Sequence, residues 1–137
     1  MLYILDTDHI SLLQRNHPGI LAKLRAIQIE DRAVTVISVS EQVQGRLAVI
    51  SRAETESDAA RGFERLQETM AFYLSIHVLP YDAEAVRNFE QFRKSGVRIG
   101  TQDLRIASIV LSRGATLITR NERDFSRVPH LQIVNWL

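Results

Sequence analysis

Cysteine is absent from the 137 residues. That excludes disulfide scaffolds, thiolate zinc sites and cysteine nucleophiles. A reducing compartment fits but is not required by this. No apolar run approaches the roughly 20 residues needed to cross a bilayer. The opening Met1-Leu2-Tyr3-Ile4-Leu5-Asp6 has no basic segment and meets an aspartate at once, so no signal peptide is expected and a cytoplasmic protein is the default. Repeats, linkers and low-complexity tracts are not evident either, and residues 1–137 are expected to form a single domain. Lysine is scarce: Lys23 and Lys94 are the only two among 17 basic residues. The rest are arginines, whose planar forks match phosphate geometry as a lysine point charge does not. His9, His17, His77 and His130 show no metal-ligand spacing and are expected to be structural or solvent-facing.

What is present is ordinary for a soluble globular chain: 45% hydrophobic and 24% charged residues. Folding should bury about two-thirds of the extended chain's surface. The net charge of +1 conceals an asymmetry. Residues 1–86 carry 8 basic and 12 acidic side chains, whereas residues 87–137 carry 9 and 4. A scattered, solvated charge face accounts for this as well as an anionic partner does.

Short apolar runs alternate with helical patterns. Leu2-Tyr3-Ile4-Leu5, Ala33-Val34-Thr35-Val36-Ile37, Ile76-His77-Val78-Leu79, Ala115-Thr116-Leu117-Ile118 and Leu131-Gln132-Ile133-Val134 read as buried strands. Between them lie helical stretches at 8–15, from after the punctuating Pro18-Gly19 to about Glu30, 38–52, 54–74, 82–94 and from Thr101 to Gly114, and a single turn opens at Asn121. The 54–74 segment places Phe63, Leu66, Met70 and Leu74 on one face. This alternation predicts an α/β fold whose mainly parallel sheet is covered on both faces. Residues 39–74 hold two successive helices, long for a simple crossover, which could project as an arm.

The acids follow the strands. Asp6 and Asp8 come after the first, Glu41 after the second, Asp82 after the third, and Asn121, Glu122 and Asp124 after the fourth. Asp103 opens the helix that returns to the fourth strand. In a parallel sheet these chain ends emerge at one edge, where open α/β sheets bind ligands. Each acid alone has a local explanation. Ser38-Val39-Ser40-Glu41 is a capping-box pattern, Asn121-x-x-Asp124 another cap, Asp82 an N-cap, and Asp103 suits a helix dipole. Caps do not explain Asp6 at the end of an apolar strand. Several carboxylates in one crevice repel each other, and a divalent cation removes that conflict. An all-oxygen donor set points to Mg²⁺ or Mn²⁺ rather than zinc. A pair of such ions could stabilise both oxygens of an in-line displacement.

Four stretches resemble the PIN-domain nucleases, and more closely the VapC-type toxins of toxin–antitoxin pairs. They are Tyr3-Ile4-Leu5-Asp6-Thr7-Asp8, Ser38-Val39-Ser40-Glu41, Ile99-Gly100-Thr101-Gln102-Asp103-Leu104-Arg105-Ile106-Ala107 and Leu117-Ile118-Thr119-Arg120-Asn121-Glu122-Arg123-Asp124-Phe125, and the tail from Val128 to Trp136 is similar too. The resemblance spans essentially the whole chain. It implies a PIN-like three-layer α/β/α sandwich around four to five strands. It implies a metal-dependent endoribonuclease that hydrolyses RNA, transfer RNA among the family's substrates, with water activated at Mg²⁺ (or Mn²⁺). Asp6, Glu41 and Asp103 match the core acids of the family, Asp124 the fourth, more variable one, and Asn121 a polar neighbour. It further implies a homodimer silenced by a VapB-type antitoxin, with no membrane association. Helices 39–74 are the candidate surface for dimer and antitoxin contact.

Two positions depart from the family pattern: Asp8, where Asn or Ser is common, and Gln102, where Asn is common. Asp8 reads as a ligand or a cap of the first helix, and the cap is favoured. Thr7 either fixes the Asp6 carboxylate through its hydroxyl or is a plain turn residue. Arg98, Arg105, Arg120 and Arg123 flank the acids and either grip RNA phosphates or serve solubility. Phe63, Phe72, Tyr73, Phe89 and Phe92 are expected in the core or a dimer contact, and Trp136 under the sheet edge. Two other readings stay open from the residues alone. One is a haloacid-dehalogenase-type phosphatase with Asp6 as nucleophile and Asp8 as general acid, which needs a balancing lysine (only Lys94 is plausible) and leaves Glu41 without a role. The other is a non-catalytic module of the same fold, which has no need of mutually repelling carboxylates.

Overall fold

A computed structural model describes residues 1–137. Five strands, β1 (Tyr3–Leu5), β2 (Arg32–Thr35), β3 (His77–Leu79), β4 (Thr116–Ile118) and β5 (Gln132–Val134), form one sheet in the order β3-β2-β1-β4-β5. Every pairing is parallel. Parallel neighbours need crossovers, and the helices supply them. These are α1 (Thr7–Gln14), α2 (Pro18–Arg25), α3 (Val36–Ser51), α4 (Glu56–Leu74), α5 (Ala83–Lys94), α6 (Thr101–Ser112) and the single turn α7 (Glu122–Phe125).

Successive strand residues point to opposite faces, so continuous apolar strands feed two cores. Ile4, Ala33 and Leu117 join Leu104, Ala107 and Ile109 of α6 on one side. Leu5, Val34 and Ile118 meet Ile10 and Leu13 of α1, Ile20 and Leu24 of α2 and Tyr73 of α4 on the other. The result is the expected α/β/α sandwich. Phe89 and Phe92 pack against the first core, Phe72 and Trp136 against the second.

Two local expectations are corrected, and the orientation of a third element is settled. The second strand stops at Thr35, whose hydroxyl accepts from the Ser38 N–H at 3.2 Å and caps α3. Ser38 therefore lies inside the first turn, and Ser38-x-x-Glu41 is no capping box. The second helix starts at Pro18 itself, in the first-turn position where a missing N–H costs nothing, and ends at Arg25, and Ile29–Asp31 form a separate 3-10 turn. On α4 the apolar stripe does not face inward: Phe63, Met70 and Leu74 are exposed and Leu66 is half-buried. The buried side is Gly62, Thr69 and Tyr73. The reason is close approach to α3. A Cβ on Gly62 would sit 2.7 Å from Ile50 Cγ1, and Thr69 accepts a hydrogen bond from Arg46.

α3 and α4 form a hairpin that does project. The buried residues of α3, namely Ile37, Ser38 and Gln42, all lie in its first two turns. Its distal half packs against α4 rather than the sheet.

Candidate active site

The strand order reverses direction between β1 and β4, the switch point where open α/β sheets place ligands beyond the strand ends. Asp6 follows β1 directly, and its N–H donates to Ile118 O at 2.9 Å. The register pairs Leu5 with Ile118, so the next residues on each strand, Asp6 and Thr119, become neighbours.

From there one chain of hydrogen bonds links all four acids. Thr119 donates its hydroxyl to Asp6 Oδ2 at 2.8 Å, and the Thr7 N–H donates to Asp6 Oδ1 at 2.8 Å. The Thr7 hydroxyl gives its proton to Glu41 Oε1 at 3.1 Å and so accepts from Ser38 at 2.9 Å. On the other side, the Asn121 N–H donates to the Thr119 hydroxyl at 2.9 Å. The Asn121 amide then reaches Asp124 Oδ2 at 3.2 Å and Asp103 Oδ2 at 3.4 Å.

These bonds revise several assignments. Asp6 is itself the N-cap of α1, so capping does account for its position. The capping role expected of Asp8 falls away. Asp8 instead accepts from the Arg120 N–H at 3.2 Å and pairs with the buried His9 ring at 2.8 Å. It is the Thr7 backbone, not its hydroxyl, that holds Asp6. Asn121 makes no side-chain cap bond. Asp82 caps α5 as expected, but it lies 3.6 Å from Arg113 at the far end of α6. That is ten residues, about 15 Å, from Asp103 along the helix, so Asp82 is outside the group.

Burial and repulsion are visible in the protonation equilibria. Asp6 is pushed up to about 6, first by burial and then by the charge of Asp8, with Asp103 adding and the Thr119 and Thr7 bonds opposing. Asp103 is raised by burial and by the charges of Glu41, Asp124 and Asp8. Burial would raise Asp8 too, but the His9 ring and the Arg120 N–H outweigh it and leave it below its ordinary range.

The donor set suits a hard divalent ion: four carboxylates, no sulfur and no free imidazole. As the side chains stand, no three of them close to chelating distance. Each accepts a hydrogen bond from a threonine or asparagine donor. Asp103 Oδ1 and Glu41 Oε2 take no hydrogen bond from the protein.

Thr119 carries no sequence signal of its own. Only the β1–β4 register, unknown from sequence, identifies it. Among the flanking arginines, Arg98, Arg120 and Arg123 are exposed, whereas Arg105 donates to Gln102 and lies over Tyr81 and Phe89.

A family model described as PIN domain matches residues 3–131, and the chain belongs to the PIN-domain family. Within that family it resembles VapC proteins. The chain is 32% identical to "Ribonuclease VapC1" of Haemophilus influenzae (strain R2866), over 99% of this chain and 98% of that protein. It is 25% identical to "tRNA(fMet)-specific endonuclease VapC" of Salmonella typhimurium, over 98% and 97%. A crystal structure of VapBC2 from Rickettsia felis, bound to a DNA fragment from their promoter, superposes with a TM-score of 0.75 at 25% identity, covering all of both chains. None of these relatives is a phosphatase, and nothing favours the haloacid-dehalogenase reading.

Proposed function

We propose that the protein is a Mg²⁺- or Mn²⁺-dependent endoribonuclease, the toxin of a VapBC-type pair, with Asp6, Glu41, Asp103 and Asp124 as its catalytic and metal-holding groups. The observation that carries this reading is the unbroken hydrogen-bonded path Glu41–Thr7–Asp6–Thr119–Asn121–Asp103/Asp124 at the switch point. Four carboxylates, spread over more than a hundred residues of sequence, meet there at a cost in repulsion that a divalent cation offsets.

A cation held by these oxygens supplies the compensating charge and Lewis acidity toward water and a phosphoryl oxygen. The chain's own part is positioning. Two donors fix Asp6, so its orientation is set before any ion or substrate arrives. Thr7 holds one oxygen of Glu41 and leaves Oε2 for a cation or water. Asn121 ties Asp103 and Asp124 through their Oδ2 atoms, and Asp103 Oδ1 is left to orient the water that attacks phosphorus. Water adds to phosphorus and gives its proton to solvent or to a carboxylate of the site, the bridging P–O bond breaks, and the leaving oxygen keeps the bonding pair and takes a proton from solvent to depart as a hydroxyl.

The substrate is RNA, with transfer RNA as one candidate, because a relative bears the name of a tRNA endonuclease. The partner is a VapB-type antitoxin, since similar chains are found in VapBC complexes. The assembly is a homodimer, and helices 39–74 carry these protein contacts. No helix is long and apolar enough to cross a membrane, in keeping with action in the cytoplasm. The test is cleavage of a total RNA pool by purified protein with Mg²⁺, with and without a chelator. Cleavage that the chelator abolishes supports the reading. RNA left uncut by both the wild type and Asp6→Asn would mean a binding module instead.

A further inference from the structure

Away from the acids, a cavity of about 380 Å³ opens where α1, α3 and α4 meet. Three arginines line it, Arg15, Arg46 and Arg65, against a single carboxylate, Glu68. None of the three forms an ion pair. Arg46 is anchored: its Nε donates to Thr69 Oγ1 at 3.0 Å, and Thr69 in turn donates to Arg65 O, which aims its lone pairs at Arg46. The two terminal nitrogens of Arg46 bond nothing. Burial and the charges of Arg65 and Arg15 make Arg46 easier to deprotonate than an ordinary arginine, with Tyr73 and Glu68 opposing. This is a cluster that lacks its counter-charge.

The wall behind it is rigid. Gln14 and Gln42 exchange amide bonds at 2.9 and 3.0 Å, and the Tyr73 hydroxyl donates to Gln42 Oε1 at 2.7 Å. Gln42 directly follows Glu41, and Gly45, which lines the cavity, lies one turn further along α3. Along the helix axes Arg46 stands five residues, about 7.5 Å, beyond Glu41, and Arg15 nine residues, about 14 Å, beyond Asp6, which is one to two nucleotide lengths.

We propose that Arg15, Arg46 and Arg65 form a phosphate-binding subsite that grips the RNA backbone next to the scissile bond. The proposal rests on the ribonuclease reading above. Guanidinium forks recognise phosphate oxygens in pairs, and the volume suits one phosphate with its sugar. An acidic protein segment is the competing occupant, but such contacts depend on apolar anchors, and Phe72 is the only hydrophobic residue lining the cavity.

The test uses the Mg²⁺-loaded protein and a labelled bulk tRNA fraction, and measures kcat and KM over a range of salt. Arg46→Gln with Arg65→Gln is expected to raise KM by about tenfold or more, with kcat within about threefold. The salt dependence of binding should become shallower by about 0.7 for each phosphate no longer gripped. Arg46→Lys should fall between, keeping charge without the fork. Gly45→Glu gives an independent route. A Cβ there meets nothing within 4 Å, and the substitution favours helix, so this variant folds even if the arginine variants do not. It should raise KM as they do. Wild-type KM in both the Gly45→Glu and the arginine variants, beside a wild type that cleaves, overturns the subsite and leaves the nuclease reading intact. Unchanged KM for RNA with abolished binding of poly-glutamate assigns the cavity to an acidic protein and also overturns it. A wild type that cuts no RNA removes the nuclease reading itself.

Discussion

The acid rim and the α3–α4 hairpin are built on opposite terms. At the rim, charge is drawn at least partly under cover: Asp6 is only 6% exposed, Glu41, Asp103 and Asp124 are half-buried, and every carboxylate has a hydrogen-bond donor. On the hairpin, apolar groups are left outside: Leu47, Val49, Phe63 and Met70 are half exposed, and Leu74 is 89% exposed. Buried charge and exposed hydrocarbon are both unfavourable in an isolated chain. On the proposed function, a cation would offset the first and a protein surface would cover the second. The two regions meet at Gln42, which is buried at the base of α3 beside Glu41.

Breaking one region without the other separates their roles. The largest effect is expected at the rim. Asp6→Ala or Asp103→Ala should lower RNA cleavage about a thousandfold or more, with an unchanged circular-dichroism spectrum. An Asp103→Ala variant that cleaves and arrests growth like the wild type would defeat the catalytic assignment. Next is the pH dependence of stability in chelator. Asp6 is raised from 3.8 to about 6 in the fold, so folding favours its protonated form. That contribution is complete below pH about 4 and is lost as pH rises through about 6, by at most about 3 kcal/mol. Urea titrations from pH 4 to 7 should show the decline, and Asp6→Asn or saturating Mg²⁺ should flatten it.

On the hairpin, Met70→Glu with Leu74→Glu should weaken self-association or antitoxin binding by about tenfold or more, read by sedimentation, while Mg²⁺ binding is unchanged. A weakened metal titration with intact partner binding would reverse the assignment of the two regions. The smallest effect belongs to the point where they meet. Tyr73→Phe deletes one hydrogen bond to Gln42 and should cost about 1 kcal/mol in urea unfolding, with little change in cleavage.

The contrast also explains what the sequence makes legible. Continuous apolar runs such as Tyr3–Leu5 and Thr116–Ile118 announce parallel strands, because both faces are buried. Once the strands are parallel, the acids after them must share an edge. That much is local pattern plus topology, and it brings Asp6, Asp8, Glu41, Asp82, Asp103, Glu122 and Asp124 toward one edge; the resemblance to the PIN family singles out Asp6, Glu41, Asp103 and Asp124, and the structure sets Asp82 apart beside Arg113. Their donors are harder to read. Thr119 depends on which strand pairs with β1, and Thr7 divides its backbone and hydroxyl between Asp6 and Glu41. Capping patterns misled at Ser38 and Asp8, because a small change in where a helix starts moves the cap to Thr35 or Asp6. On α4, periodicity correctly marks a helix, but it cannot say which stripe faces in. Gly62 against Ile50 decides that.

The proposed function turns on whether these carboxylates, distant in sequence, hold one hard cation in common. A Mn²⁺ titration by electron paramagnetic resonance or calorimetry addresses this without relying on any substrate, using the wild type, Asp6→Asn, Glu41→Gln and Asp103→Asn. Saturable binding to the wild type is expected, and each substitution should weaken it severalfold or more. Equal binding by all four proteins, or none by the wild type, would contradict a shared ion.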